Sequence, residues 1–223
     1  IGEKVFLVSE EFYEKMIKAV LFDVDGVLLD SEESNREFFR RVLGKFGYKA
    51  PTKKEYRKAF HLNLRDAIIA LTNEEDEVKI QKIWDYGATL PDYPDDLLKI
   101  PEGMPEVIKK LNREYKLGIV TSRIKAGVEE FFNFTGFRKY FDIAIFFGEY
   151  SRSKPDPECL LVAVSRLSIK PEEAVYVGDA QTDMIAARDA GVHFILFPEN
   201  PQIKTKFVVK EFKDIPKIIE DYF

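Results

Sequence analysis

Carboxylates and hydroxyls follow three short apolar runs of this chain, at the point where each run ends. They are Asp23 and Asp25 after the first run, Thr121 and Ser122 after the second, and Asp179 after the fourth. If the runs are parallel strands of one sheet, their carboxyl ends meet at one edge and these side chains lie close together. Three carboxylates in a partly buried crevice repel one another and need a cation. Oxygen ligands select a hard cation such as Mg2+.

A phosphoryl group bound at such a cation would face the Asp23 carboxylate. Asp23 is then a candidate nucleophile that forms an aspartyl phosphate. Asp25, two positions further on, can donate a proton to the leaving oxygen and later accept one from water. Lys154 follows the third apolar run, and together with the Thr121 hydroxyl it suits the remaining charge of the phosphoryl group.

Each of these residues has an ordinary structural interpretation when it is taken alone. An Asp-x-Asp-Gly sequence also fits a surface turn, and Asp179 with Asp183 four positions later fits a turn and a helix cap. If a helix begins at Asp179, Asp183 lies on the same face of it, and Asp183 is predicted to orient either the metal ligands or Lys154. The joint order, with each group at the end of an apolar run, is much harder to obtain by chance.

The apolar runs are four to six residues long, and most show no alternation of polar and apolar positions. This pattern is typical of strands that are buried on both faces of a parallel sheet. Helical patterns lie between the runs, so we predict an α/β fold with a doubly wound, mainly parallel, Rossmann-like sheet. The predicted strands are 17–22, 117–120, 143–147, 174–177 and 194–197.

One region interrupts the alternation of strands and helices. After the first run only helical patterns occur up to about residue 100, and a tract rich in Pro and Asp leads back toward the second run. We therefore predict a small all-helical cap domain, 32–101, inserted after the first strand into a catalytic core of 1–31 and 102–223. Residues 1–15 are either an accessory strand and turn or an extension with its own packing role.

Composition limits the class of protein. The chain has 223 residues, of which 45% are apolar and 33% charged, with a net charge of −5, and this excludes a mainly disordered chain. No apolar stretch is long enough for a transmembrane helix, and the first residues lack the layout of a secretory signal. The single cysteine, Cys159, cannot form an internal disulfide, which favours a reducing compartment. We predict a cytoplasmic protein with neither nucleic acid nor membrane as a partner, and the sequence does not indicate its oligomeric state.

The polar residues and their neighbours resemble the four motifs of the haloacid dehalogenase-like hydrolases. The helical insertion resembles the small cap of phosphoglycolate phosphatases and β-phosphoglucomutases. The resemblance covers the chain from about residue 16 to 197. The matching segments occur in the family's order and read Asp23-Val24-Asp25-Gly26-Val27-Leu28-Leu29-Asp30-Ser31, Ile119-Val120-Thr121-Ser122, Lys154-Pro155-Asp156-Pro157 and Val177-Gly178-Asp179-Ala180-Gln181-Thr182-Asp183.

This resemblance implies roles for the residues at the ends of the runs. Asp23 would be the nucleophile and Asp25 the acid/base residue. Mg2+ would be held by the Asp23 carboxylate, the Asp25 main-chain carbonyl and Asp179. The family's name-giving dehalogenases lack an aspartate at the position of Asp25, so its presence favours phosphoryl transfer. Phosphate contacts are expected from three residues, Thr121, Ser122 and Lys154.

Substrate specificity is expected to come from the cap, because the core site recognises only phosphate and metal. His61 and Arg65 lie in 60–66, a segment that resembles the family's substrate-facing cap loop. Arg65 matches the position of a phosphate-binding arginine in β-phosphoglucomutases, where it could clamp a second anionic group. The alternatives are that Arg65 is a helix-surface charge paired with a neighbouring acid and that His61 is a packed or exposed cap residue.

The leading prediction is a Mg2+-dependent phosphatase that hydrolyses a small phosphorylated metabolite through an aspartyl-phosphate intermediate. A phosphosugar mutase of the β-phosphoglucomutase type, which returns the phosphoryl group from Asp23 to the substrate, is the alternative. The Asp-Gly-Val of 25–27 leaves this choice open, because it also occurs in mutase relatives. A third hypothesis is a phospho-accepting signalling or scaffold domain similar to a receiver. Receivers place the acceptor on a later strand and lack a helical insertion.

Overall fold

The computed structural model describes residues 17–90 and 92–223. Five parallel strands form one sheet in the order β3-β2-β1-β4-β5. All five predicted runs form strands, which confirms the doubly wound parallel sheet, while the two alternatives for residues 1–15 lie outside the described residues. The strands are β1 (Ala19–Phe22), β2 (Lys116–Ile124), β3 (Ile143–Phe147), β4 (Ala174–Gly178) and β5 (His193–Leu196).

β1 is the central strand, and its continuous apolar run is explained by burial on both sides. Val20 faces one apolar cluster of the protein and Leu21 faces the other. Val20 pairs with Leu117 of β2 on one side and with Val175 of β4 on the other. The strand order reverses beside β1, and in open α/β sheets ligands bind in the crevice at the carboxyl ends of the strands at such a point.

Helices cover both faces of the sheet. The first cluster includes residues of α5 (Met104–Leu111), α6 (Lys125–Thr135) and α9 (Ile215–Tyr222), and the second includes residues of α7 (Glu158–Leu167) and α8 (Gln181–Ala190). β3, at one edge of the sheet, is mostly half-buried, and of its five residues Ile145 is the one that is fully buried. No helix of the described ranges combines the length and the hydropathy that a membrane crossing requires.

Between β1 and α5 the described residues form four α-helices, which we call the helical insertion. These helices bury an apolar cluster of their own, distinct from the two that cover the sheet. A short 3-10 turn, Asp95–Leu97, follows them on the way to α5. The four helices are α1 (Glu32–Lys45), α2 (Lys53–Ala59), α3 (Leu64–Thr72) and α4 (Glu77–Ala88).

Side-chain caps stabilise the first turns of three helices of the helical insertion. The Thr52 hydroxyl accepts a hydrogen bond from the Glu55 N–H (3.3 Å), and the Glu55 carboxylate accepts one from the Thr52 N–H (2.8 Å), which is a capping box at the start of α2. The Asn63 side chain accepts a hydrogen bond from the Asp66 N–H at the start of α3, and the Asp76 carboxylate accepts from the Val78 and Lys79 N–H groups at the start of α4. Each cap satisfies N–H groups that the first turn of a helix leaves unpaired.

Candidate active site

Asp23 is fixed at the carboxyl end of the central strand. Its N–H donates to the Val177 carbonyl (3.0 Å), which continues the pairing of β1 with β4 by one residue. Its Oδ1 accepts a hydrogen bond from the Val24 N–H (2.8 Å). The residue is 7% exposed. The backbone therefore presents one buried carboxylate at the edge where the sequence analysis places it.

Gly26 closes the turn that follows Asp23. Its φ is +78°, in the left-handed region that favours glycine. A Cβ at this position would overlap the carboxylate of Asp179, which reaches the turn from the end of β4. Both the backbone conformation and the close approach of Asp179 therefore require a glycine. This close approach brings the first motif into contact with the fourth.

Three carboxylates meet at this edge of the sheet, those of Asp23, Asp179 and Asp183. One oxygen from each lies within 4.8 Å of the others. Within the described ranges, Oδ1 of Asp179 is buried and has no hydrogen-bond partner. Burial, followed by the charges of Asp183 and Asp23, raises the pKa of Asp179 well above its usual range. An unpartnered buried oxygen within an acidic cluster fits a hard divalent cation, so the residues present fit a Mg2+ site.

The Asp183 carboxylate is already committed to hydrogen bonds. Its Oδ1 accepts from Lys154 Nζ (2.6 Å) and from the Tyr176 hydroxyl (3.1 Å). Its Oδ2 accepts from the N–H groups of Asp179 (3.2 Å) and Ala180 (3.0 Å). Of the two roles open to Asp183, this geometry favours orienting Lys154, since few lone pairs remain for a metal ion.

Lys154 is a buried cation among these carboxylates, with a side chain that is 4% exposed. Besides Asp183, its Nζ donates to Oδ2 of Asp23 (3.2 Å) and to the Tyr176 hydroxyl (2.8 Å). Burial lowers the pKa of Lys154, but the charges of Asp183 and Asp23 outweigh it and hold that pKa well above its usual range. Sequence reasoning missed Tyr176, because it lies inside an apolar strand and nothing but the sheet register brings its hydroxyl here.

Thr121 and Ser122 line a cavity next to Asp23, as the strand-end pattern predicts. Thr121 is 1% exposed, and its Oγ1 accepts a hydrogen bond from the Arg123 N–H (3.2 Å). The cavity has a volume of about 290 Å³ and extends from Asp23 to the helical insertion. The hydroxyls and the candidate nucleophile therefore share one space that is large enough for a small molecule.

Asp25 points into the same cavity, where donors surround its carboxylate. Arg123 binds it in a bidentate manner, through Nε to Oδ2 (2.9 Å) and Nη2 to Oδ1 (2.7 Å). The Ser31 hydroxyl and Asn35 Nδ2 also donate to Oδ1. Burial raises the pKa of Asp25, but Arg123 and these hydrogen bonds outweigh burial and hold the pKa below its usual value. Asp25 is therefore ionised at neutral pH in this arrangement.

Arg123 is the principal site residue that sequence reasoning did not assign. The available signal is its position directly after Thr121 and Ser122, at the end of a strand that carries site residues. Asn35 gives no such signal, because it lies on α1, and its approach to Asp25 depends on how that helix packs. Asn35 also accepts a hydrogen bond from the Tyr93 hydroxyl (2.5 Å).

The structure separates the two residues predicted to set specificity. His61 lines the cavity, and its Nδ1 lies 3.7 Å from Oδ1 of Asp179. Arg65 does not line the cavity: its guanidinium pairs with the Glu77 carboxylate, as in the alternative of a helix-surface charge. Asn63, between these two residues, donates from Nδ2 to the Ser153 hydroxyl (3.0 Å) and ties the helical insertion to the loop that carries Lys154.

Fold, motif order and site geometry agree with the comparison with known families. The profile of the haloacid dehalogenase-like hydrolases matches residues 20–197. The chain therefore belongs to the haloacid dehalogenase-like hydrolase family. This confirms the predicted family, and it makes the chain an enzyme of the hydrolase class.

Individual relatives agree with this assignment. The chain is 30% identical over 177 residues to the pyrophosphatase PpaX of Bacillus cereus, covering 78% of this chain and 80% of that protein. A solved structure from Lactobacillus plantarum, assigned as a phosphoglycolate phosphatase, is 26% identical with a TM-score of 0.78, covering 91% and 99% of the two chains. A subfamily IA hydrolase of Geobacter sulfurreducens is 25% identical with a TM-score of 0.70, covering 91% and 96%. The β-phosphoglucomutase of Clostridium difficile, 20% identical with a TM-score of 0.76 over 93% and 99% of the chains, shares the fold.

Proposed function

We propose that this chain is a Mg2+-dependent phosphatase that hydrolyses a small phosphorylated metabolite through an aspartyl phosphate on Asp23. The observation that carries the proposal is the convergence of Asp23, Asp179 and Lys154, from three separate parts of the chain, beside one cavity. Family membership supports the reaction class. In this proposal 32–101 is the cap over a core of 1–31 and 102–223, and the protein acts in the cytoplasm.

The first step is attack by a carboxylate oxygen of Asp23 on phosphorus, with cleavage of the bond to the leaving oxygen. Lys154 and the hydroxyls of Thr121 and Ser122 stabilise the charge of the phosphoryl oxygens. Asp23, Asp179 and the Asp25 main-chain carbonyl would hold Mg2+, which when bound withdraws charge from the phosphoryl oxygens.

Asp25 is assigned the proton transfers. Asp25 is ionised in the described arrangement, so it must take up a proton from solvent before it donates that proton to the leaving oxygen as the phosphorus–oxygen bond breaks. Water then attacks the aspartyl phosphate and gives its proton to the Asp25 carboxylate, and the bond between phosphorus and the Asp23 oxygen breaks. Because the described Asp25 is ionised and faces the cavity, it is in the form needed for the second transfer.

Replacing Asp25 with Asn tests these transfers. We expect hydrolysis of a phosphate ester with a poor leaving group to slow by about 100- to 10,000-fold, because the amide neither donates nor accepts the proton. With p-nitrophenyl phosphate, whose leaving group needs no protonation, we expect a burst of nitrophenol followed by slow turnover. Stopped-flow absorbance measures both phases. Kinetics that are unchanged with the poor leaving group would contradict the assignment.

Mg2+ and protons are expected to compete for Asp23. Burial, opposed by Lys154 and reinforced by Asp183 and Asp25, raises the pKa of Asp23 to about 6. The folded protein therefore binds a proton at Asp23 more tightly than the unfolded chain does. This difference adds to the free energy of unfolding of the metal-free protein below about pH 4, and the added stability is lost as the pH rises through about 6. We therefore expect Mg2+ to raise the thermal midpoint more at about pH 7.5 than at about pH 5.

Scanning calorimetry with and without saturating Mg2+ measures this difference. The Asp179→Asn variant is the control, because it removes one proposed ligand and should reduce the Mg2+ shift at both pH values. A shift of equal size at both pH values in the unmodified chain would contradict competition at Asp23.

The proposed function itself is tested by release of inorganic phosphate from p-nitrophenyl phosphate, with Mg2+ and after its removal with EDTA. Incubation with β-glucose 1-phosphate separates hydrolysis from the mutase alternative, since the first releases phosphate and the second forms glucose 6-phosphate. No observation on the site favours the mutase, because Arg65, the residue that would hold a second phosphate, pairs with Glu77 away from the cavity.

A further inference from the structure

Part of the cavity lining is a row of aromatic rings, which we call the ring wall. The centroids of neighbouring rings are 5.2 to 5.9 Å apart, in the order Tyr93, Phe38, Phe39, Tyr56 and Phe60. Three of the rings are only half-buried and so have surface left for a ligand, while the other two are buried. The half-buried rings are Phe38, Phe60 and Tyr93, and the buried rings are Phe39 and Tyr56.

The described residues of the cavity lining offer no uncommitted lysine or arginine to an anionic leaving group. Of the described lysines and arginines, Arg123 is the one that lines the cavity. Two of its nitrogens bind Asp25, and Nη1 donates to the Gly127 carbonyl (3.1 Å). Glu130 adds a further carboxylate to the lining. A second phosphate or a carboxylate on the substrate would therefore meet like charge, which costs binding energy.

We propose that the substrate is a phosphomonoester whose leaving group is uncharged and carries an aromatic ring. The phosphate lies at Asp23, and the ring packs against Phe38, Phe60 and Tyr93, where offset or edge-to-face contacts between rings are favourable. This inference rests on the proposed phosphatase function and names the substrate class of the same site. It differs from pyrophosphate and phosphoglycolate, after which two of the relatives are named.

Steady-state kinetics of the purified full chain with Mg2+ test the inference on four substrates: benzyl phosphate, ethyl phosphate, 2-phosphoglycolate and pyrophosphate. Benzyl and ethyl alcohol are leaving groups of similar basicity, so the ratio of their kcat/KM values reports ring binding. We expect kcat/KM for benzyl phosphate to be about tenfold or more above that for ethyl phosphate. We expect it to exceed kcat/KM for both anionic substrates by at least as much. A ratio near one, or a preference for either anionic substrate, overturns the inference.

The outcomes for the inference and for the proposed function are distinct. If p-nitrophenyl phosphate is hydrolysed but benzyl phosphate is not preferred over ethyl phosphate, the proposed phosphatase function stands and the inferred substrate class is wrong. If no ester is hydrolysed, the proposed function fails, and the substrate class is then judged by calorimetric binding of benzylphosphonate against ethylphosphonate. Equal affinity for the two phosphonates overturns it, and tighter binding of benzylphosphonate supports it.

Two matched variants locate the effect on the ring wall. Phe38 and Phe46 are both half-buried and pack against the same cluster of the helical insertion, but of the two only Phe38 lines the cavity. We expect Phe38→Leu to reduce the benzyl-to-ethyl ratio several-fold and Phe46→Leu to leave it unchanged, although both lower stability by similar amounts. An equal change of the ratio in both variants, or no change in either, would contradict the role of the wall.

Discussion

Asp23→Asn is expected to lower kcat by about 10,000-fold or more while the protein stays folded. The amide is a poor nucleophile, and it also removes one negative charge from the proposed metal site. The fold should tolerate the change, because the Asn carbonyl oxygen can still accept the hydrogen bond from the Val24 N–H, and Lys154 keeps its hydrogen bonds to Tyr176 and Asp183. Loss of this charge also relieves repulsion with Asp179 and Asp183.

Phosphate release measures the rate, and thermal unfolding measures the stability. Asp30→Asn is the matched control, since Asp30 is an exposed aspartate of the same motif and does not line the cavity. Rapid acid quenching with radiolabelled substrate should trap labelled protein with the unmodified chain but not with Asp23→Asn. Turnover of the Asp23→Asn variant near the native rate would contradict the assignment of Asp23 as the nucleophile.

Lys154→Met is expected to damage both stability and activity. Its ammonium group lies between Asp23 and Asp183, and the removal of one partner from a buried charge cluster leaves the other charges uncompensated. Breaking a buried ion pair in this way costs about 3–5 kcal/mol of unfolding free energy. Loss of a preorganised cation beside the phosphoryl group lowers kcat by about 100- to 1,000-fold.

Urea unfolding at neutral pH measures the first effect, and Mg2+ should recover part of it, because a bound cation again offsets the carboxylates. Lys210→Met is the control: Lys210 is an exposed lysine that pairs with Glu199, and exposed pairs contribute little. If Lys154→Met unfolds at the same urea concentration as the unmodified chain, Lys154 does not hold the cluster together.

The strands and the core of the site could be predicted because both depend on local patterns. A strand buried on both faces is apolar along its whole length, and parallel strands all end at the same edge of the sheet. From these two rules Asp23, Thr121 and Asp179 are expected together, and the structure brings them together. The same rules do not fix rotamers, so they could not show that Asp183 turns its carboxylate toward Lys154.

These rules do not predict the bidentate contact of Arg123 with Asp25. The two residues are 98 positions apart in the chain, on neighbouring strand ends, and their side chains meet only through the particular direction that each takes into the cavity. Arg65 shows the opposite outcome. Its position in the sequence suits a substrate clamp, but the packing of α3 against α4 places it beside Glu77 instead.

The amino-acid sequence by itself determined the order of the strands along the chain, the family and the set of groups that can handle a phosphoryl group, because each follows from residue type and local spacing. The tertiary structure decided which side chains surround Asp25 and which rings line the cavity together with Asp23. Those rings come from α1, from the end of α2 and from the segment after α4. Helical periodicity predicts that such residues are buried, but the angles at which the helices pack determine which of them reach the substrate.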